Sequence, residues 1–371
     1  MMDVLRPQII HIGDRCYRKN PSLHRDVEAD EEEDYNEPSE PVDCGWNDEI
    51  CDFRTPIEET DSGFQLSLDI PSALFKHIIG RKGETRRRIE NETRTQIRIP
   101  KSGQEGPIAI VGVDRKGIVS AKTRIDVIVS TARQKEQFTH FLSIPVTSAK
   151  IIENFLEFKD DVLRECDGDR GIDSTIFQKQ EKLHLTLGTL VLLSEAEVQQ
   201  ALDVLQQCHE DLVGPILKGQ RLAPRIQGVE YMNDDPSCVD VLYAKLEPGE
   251  DLDKLQILVD RIVEKFNING LIQQSYSSVK LHITIMNTLM RRDPTGAAVP
   301  RPQDRRSRPN DYRDQRGSQN KERESFDATS VLKKFGEFDF GEHPIRTIHL
   351  SQRQAVAKDG YYGCAGSLLL P

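Results

Sequence analysis

The chain has 371 residues, 37% hydrophobic and 30% charged, with a formal net charge of −11. That length suits two or three domains, with apolar material for packed cores and a polar excess for tails or linkers. An uninterrupted apolar run of about eighteen residues is absent, which argues against a membrane span. The first residues lack the order of a secretory signal. The seven cysteines are scattered without paired metal-ligand spacing, so they read as reduced thiols in a cytosolic or nuclear protein.

The net charge hides a segregation. Residues 26–60 hold fifteen Asp or Glu and one Arg, whereas 76–101 hold nine Lys or Arg and three Glu. A basic patch inside an acidic chain points to nucleic acid more directly than the overall charge does.

Residues 1–60 show little periodicity. The run "DVEADEEEDYNEPSEP" carries too few apolar groups to offset the entropy of ordering it. This region is expected to be an acidic, mostly disordered extension, in which "VLRPQIIHI" and Trp46 are possible docking elements.

From Phe64 the pattern changes. "FQLSLDI" alternates as a strand. "SALFKHIIG" is a short helix ended by Gly80, and "ETRRRIENETR" is a second. "TQIRIP" and "PIAIVGV" are strands, and "RKGIVSAKTRIDVIVSTARQ" is a long amphipathic helix. The order over residues 62–135 is β-α-α-β-β-α.

Residues 138–371 mix both element types. "FTHFLSIPV" is a strand and "SAKIIENFLEFKDDVLREC" a helix. "KLHLTLGTLVLL" is a strand. "SEAEVQQALDVLQQCHEDLVGPIL" is a helix with a capping box at Ser194 and Glu197. "RIQGVEYM" and "CVDVLYAKL" are strands, "DLDKLQILVDRIVEKFN" a helix and "KLHITIMNTL" a strand. A late helix, "DATSVLKKFGEF", precedes the strands "IRTIHLSQRQA" and "YYGCAGSLLL". Strand-and-helix units recur in both halves, which implies one α+β domain with an internal pseudo-repeat. Residues 291–323 interrupt it with ten basic and five acidic residues. They read as a disordered Arg- and Pro-rich loop, either an inert linker or a phosphate contact.

Two motifs carry chemistry. The first is Gly80-Arg81-Lys82-Gly83 between two helices. Glycines at both ends let the backbone turn tightly and approach a ligand, and N–H groups opening the second helix favour anions. Arg81 and Lys82 add charge where a sugar-phosphate backbone can pass. Arg87 extends that charge, and Ile79 belongs to the apolar floor of the groove. The stretch resembles a type I KH domain, the eukaryotic form, whose GXXG loop clamps single-stranded backbone. The resemblance implies binding of single-stranded RNA or DNA. A KH fold kept as a protein scaffold is the alternative.

The second motif occurs twice, as "KLHLTLGTL" from Lys182 and "KLHITIMNTL" from Lys280. In a strand His184 and Thr186 share one face and the leucines the other, and His282 and Thr284 repeat this. A polar face in so apolar a strand needs satisfaction or a function. Two imidazoles can take and give a proton at a phosphodiester, and two threonine hydroxyls can hold its non-bridging oxygens. No carboxylate cluster accompanies them, so the chemistry requires no metal or other cofactor.

The paired His-x-Thr motifs resemble the two-histidine phosphoesterase superfamily, a bilobal fold acting on 2′,3′-cyclic phosphates, 2′-5′ linkages and RNA ends. That resemblance places catalysis on His184, Thr186, His282 and Thr284. Its alternative is an adaptor whose cleft holds phosphate or partners without turnover. A KH module joined to such a domain behind an acidic extension resembles a subunit of a helicase-containing transcription-coactivator complex. This implies location in the nucleus, with the cytoplasm as a further compartment, a role in DNA repair, and contact with the complex through the N-terminal region.

Overall fold

The computed structural model describes residues 57–60, 63–101, 106–232, 234–272, 278–291 and 324–371, with the backbone of 9–12 and 15–18. The expectations for the acidic run, Trp46 and the Arg-rich residues 292–323 fall outside the described residues. Near the N-terminus, β1 (Ile9–Ile12) and β2 (Arg15–Arg18) pair antiparallel. Contacts divide the chain into two compact units, Met1–Ile70 with Phe75–Ile128, and Pro71–Leu74 with Val129–Pro371.

The first unit contains β3 (Glu58–Thr60), β4 (Gly63–Leu68), α1 (Phe75–Ile79), α2 (Glu84–Thr93), β5 (Thr95–Arg98), β6 (Ile108–Gly112) and the start of α3 (Arg115–Lys135). The antiparallel sheet runs β3-β4-β6-β5. The expected β-α-α-β-β-α order is present. β3 is an addition at the sheet edge, drawn from residues counted with the acidic extension. Ile97 of β5 and Ile108 and Ile110 of β6 are buried with Ile78 of α1 and Ile89 of α2. The period-two burial of both strands puts those residues on the helix side. The Glu90 carboxylate accepts the Ile97 N–H at 2.8 Å and ties α2 to β5.

The second unit is one antiparallel sheet of eight strands with helices against it. In chain order its elements are β7 (His140–Pro145), α4 (Ala149–Glu165), β8 (His184–Leu190), α5 (Glu195–Cys208), α6 (Gly214–Leu217), β9 (Arg225–Tyr231), β10 (Val241–Leu246), α7 (Glu250–Ile268), β11 (Ile283–Asn287), α8 (Thr329–Phe335), β12 (Asp339–Glu342), β13 (Thr347–Val356) and β14 (Tyr362–Leu369). The strand order is β12-β9-β10-β11-β8-β7-β13-β14. Two groups of four strands therefore meet at the β11–β8 seam. Helix α4 packs against β12 and α5 against β14. The two His-x-Thr strands are neighbours in this one sheet, so their apolar sides share a common helical cover.

Two of the departures from the expected boundaries bear on the site or have a clear physical cause. The helix expected from Ser194 to Leu217 keeps its start, since the Glu197 N–H donates to Ser194 Oγ at 3.2 Å. It then widens into a π turn over His209–Val213 before α6. Pro215 lacks an N–H and its ring crowds the preceding turn, and the wider turn relieves this. The strand expected from Lys280 is regular only from Ile283, so His282 sits just ahead of it.

Phe158 of α4 anchors the helix-side core. It is fully buried and meets the rings of Phe335, Phe338 and Phe340 at centroid distances of 5.8, 5.2 and 5.4 Å. Phe158→Ala is expected to cost about 3–5 kcal/mol in urea unfolding. A loss below about 1 kcal/mol would show that the site collapses around the smaller side chain.

Candidate functional site

In the first unit, Gly80 (φ 69°) and Gly83 (φ 80°) both adopt positive φ, and so does Lys82 between them (φ 53°). At Gly80 a β-carbon would lie 2.1 Å from Thr85 Oγ1 and 3.0 Å from the Thr85 nitrogen. Glycine is therefore required there by space as well as by dihedral. Around Gly83 a β-carbon would meet nothing within 4 Å, so its requirement is conformational. The turn puts Arg81 and Lys82 in solvent ahead of α2. Arg87 is exposed, Arg86 reaches Glu90 at 3.5 Å, and Ile79 is half-buried beside the loop. The six residues expected to contact nucleic acid thus occupy one continuous stretch from the end of α1 into α2.

In the second unit, Leu185 of β8 lies opposite Ile283 of β11 in antiparallel register. One step along, His184 is opposite Thr284 and Thr186 opposite His282. Side chains alternate, so these four share one sheet face while Leu185, Ile283 and Ile285 are buried on the other. All four are half-buried. The structure thus brings together the set expected from the repeat.

The imidazoles are oriented alike. His184 Nδ1–H donates to the Lys182 carbonyl and His282 Nδ1–H to the Lys280 carbonyl, each at 2.7 Å. With Nδ1 as the donor, each neutral ring keeps its lone pair on Nε2. Different elements support each motif. Pro145 of β7 pairs with His184, and Val146 N–H donates to the Leu183 carbonyl at 2.9 Å. Asp260 of α7 accepts from Val279 N–H at 2.8 Å and Ser278 Oγ at 2.9 Å, fixing the approach to His282.

Aromatic rings wall the histidines unequally. His184 lies 5.3 Å from Phe141, 5.6 Å from Tyr362 and 6.3 Å from Tyr361. His282 meets Tyr243 at 5.1 Å. Behind this wall, Ser143 Oγ shares hydrogen bonds of 2.9 Å with Ser351 Oγ and the Tyr361 hydroxyl. Burial lowers the His184 pKa to about 4, aided by the charges of His282 and Lys182. Burial also lowers His282, with Lys280 contributing.

Sequence reasoning had not singled out Lys182, Lys280, Tyr243 or Asp260 as site residues. The lysines were legible as the shared Lys-Leu-His head of each repeat. Tyr243 reaches the site through strand pairing and leaves no local signal. A separate open depression of about 430 Å³ is lined by residues including Phe155, Lys159, Phe177 and Arg291, and by none of the four His-x-Thr side chains.

Two family models match this organisation. The KH domain family matches residues 65–126, and the family described as AKAP7 2′5′ RNA ligase-like domain matches residues 138–370. The class is thus a KH module joined to a two-histidine phosphoesterase-like domain. Mouse activating signal cointegrator 1 complex subunit 1 is 46% identical over 365 residues, 98% of this chain and 99% of its own length. The chain belongs to that family. Human A-kinase anchor protein 7 isoform gamma is 26% identical over 164 residues, 42% of this chain and 41% of its own length. A solved structure from Thermus thermophilus is 17% identical with a TM-score of 0.35, covering 62% of this chain and 97% of its own. A solved phosphoesterase is 14% identical with a TM-score of 0.34, covering 63% and 99%.

Replacing Arg81 and Lys82 together by Asp is expected to weaken single-stranded oligonucleotide binding by about tenfold or more and to flatten its salt dependence. Anisotropy titrations at two salt concentrations measure both, and unchanged affinity would remove the loop from nucleic-acid contact. The histidines predict acid lability. His140, His184, His282, His343 and His349 all have pKa values lowered by burial. The unfolded chain takes up protons near the ordinary imidazole value of about 6.5, before the folded chain does. Stability is then full above that value and falls as pH drops through it towards about 4. Urea midpoints should decrease over this window, and less steeply in His184→Gln.

Proposed function

We propose that the chain is a nucleic-acid-binding subunit of the activating signal cointegrator 1 complex. Its KH loop takes single-stranded RNA or DNA, and its second unit acts on the phosphate of an RNA end, a 2′,3′-cyclic phosphate above all. The observation that carries this is the Leu185–Ile283 register, which sets two Nε2 lone pairs and two hydroxyls on one face. Membership of the complex is supported by the name of the mouse relative; work beside a helicase in transcription coactivation and DNA repair, a nuclear location and contact through the N-terminal region belong to the same proposal.

In the reaction, neutral His184 takes a proton from water at Nε2 as the water oxygen bonds to phosphorus. His282, carrying a proton on Nε2, gives it to the ribose oxygen as the P–O bond breaks. Thr186 and Thr284 donate to the non-bridging oxygens. Two imidazoles supply both proton transfers, so the step requires no metal. His184 is the base because the aromatic wall keeps it neutral down to about pH 4. His282, outside that wall, is the acid.

A second reading is an adaptor that holds an RNA end without turnover. It is favoured by the lowered pKa of both imidazoles, which leaves little protonated acid at neutral pH.

Hydrolysis of a 2′,3′-cyclic-phosphate oligonucleotide separates the two. Turnover by the wild type that His184→Ala and His282→Ala each reduce by about a hundredfold or more supports the enzyme. Its kcat/KM should rise through about pH 4 as His184 loses its proton, then decline below the ordinary imidazole value of about 6.5 as His282 does. Binding without turnover across that range supports the adaptor.

A further inference from the structure

The two motifs repeat more than His-x-Thr. Two residues before each histidine stands a lysine whose ammonium lies over a tyrosine ring. Lys182 Nζ is 4.5 Å from the Tyr362 centroid, and Lys280 Nζ is 4.6 Å from the Tyr243 centroid. Each ring also meets the histidine of the same motif, at 5.6 Å and 83° for His184 and at 5.1 Å and 64° for His282. Lysine, tyrosine and histidine thus form a triplet, once on each side of the β11–β8 seam.

Packing alone does not account for both copies. An exposed lysine such as Lys280 has water available and no need of a ring. Lys182 is 5% exposed, so its ammonium is held at a fixed place against the Tyr362 ring. A ring face draws a cation electrostatically while leaving N–H donors to point elsewhere. Each lysine also depresses its own neighbouring imidazole, so its charge is felt within the cleft. A cation near each imidazole is unhelpful to an empty site and favourable to one occupied by an anion.

We propose that Lys182 and Lys280 are the charge receptors of the cleft: two ring-seated ammonium groups, one from each motif, that hold the anionic phosphate of an oligonucleotide end between His184 and His282. This rests on the phosphate-binding reading of that cleft, whether or not turnover follows. Lys182 is the fixed charge, set beneath the aromatic wall. Lys280 is the solvent-facing one and meets the ligand as it enters. They are positioning residues for the phosphate, distinct from the proton-transferring histidines.

The test uses the full chain and a dinucleotide ending in a 3′-phosphate, too short to fill a KH groove that clamps about four nucleotides. Calorimetry compares it with the 3′-hydroxyl dinucleotide and with inorganic phosphate. The wild type should prefer the phosphate end. Lys280→Gln and Lys182→Met should each lose about tenfold of that preference, while Lys280→Arg and Lys182→Arg, which keep the charge, retain most of it. Because Lys280 is exposed, Lys280→Gln stays informative if Lys182→Met does not fold.

In Lys280→Gln and Lys182→Met, NMR titration should find the neighbouring histidine moved to a higher pKa; in Lys280→Arg, which keeps the charge and so separates lost charge from lost packing, it should stay in place. Full phosphate preference in folded Lys280→Gln, or an unmoved His282 titration, overturns the inference and leaves the proposed function standing. A wild type blind to the phosphate end overturns the proposed function as well. Inorganic phosphate binding as tightly as the dinucleotide overturns the oligonucleotide as the ligand.

Discussion

Leu185 opposite Ile283 is the contact on which the second unit turns. It joins the β12-β9-β10-β11 group to the β8-β7-β13-β14 group, and it decides which side chains share a face. Side chains alternate along a strand, so a slip of one residue would drive His184 into the helix-side core and expose Leu185. The aliphatic residues of both motifs prevent that slip. Leu183, Leu185, Leu187, Ile283 and Ile285 are all buried. The hydrophobic effect thus sets the register, and the register sets the polar face.

The polar face is costly to keep. Imidazoles drawn from water lose their charged form first, and both respond in that direction. One hydrogen bond per ring, from Nδ1 to a carbonyl two residues back, fixes the tautomer without a carboxylate. The same local geometry at both motifs explains why the imidazoles are oriented alike. What distinguishes them is the company each keeps: Phe141, Tyr361 and Tyr362 surround His184, and Tyr243 stands by His282. Two copies of a motif acquire different chemistry through non-local neighbours, while the motif itself stays the same.

That division also explains what could be read from the residues alone. The glycine loop, the alternating strands and the His-x-Thr repeat are local patterns, so they survive in a linear reading. The capping box at Ser194 and Glu197 is local too. Tyr243 sits in a strand whose existence is plain from "VLYAKL", yet its place at the site depends on pairing with Thr284. β3 and β12 are short and weakly patterned; they exist because a neighbouring strand offers an edge. The π turn after α5 reflects Pro215 working against a helix that the surrounding pattern favours.

Arg291 is the last described residue before position 292. Its Nε reaches Asp173 at 3.0 Å, Nη1 donates to the Glu324 carbonyl at 2.7 Å, and Nη2 contacts the Gly171 carbonyl. Residues 291 and 324 are therefore clasped at one point on the domain. The entropy of closing a loop at such a clasp grows only logarithmically with the length it encloses. Because the described residues themselves hold the two ends together, sequence inserted between positions 291 and 324 adds only that logarithmic term to the cost of closure, which makes this the place to graft a tag onto the fold.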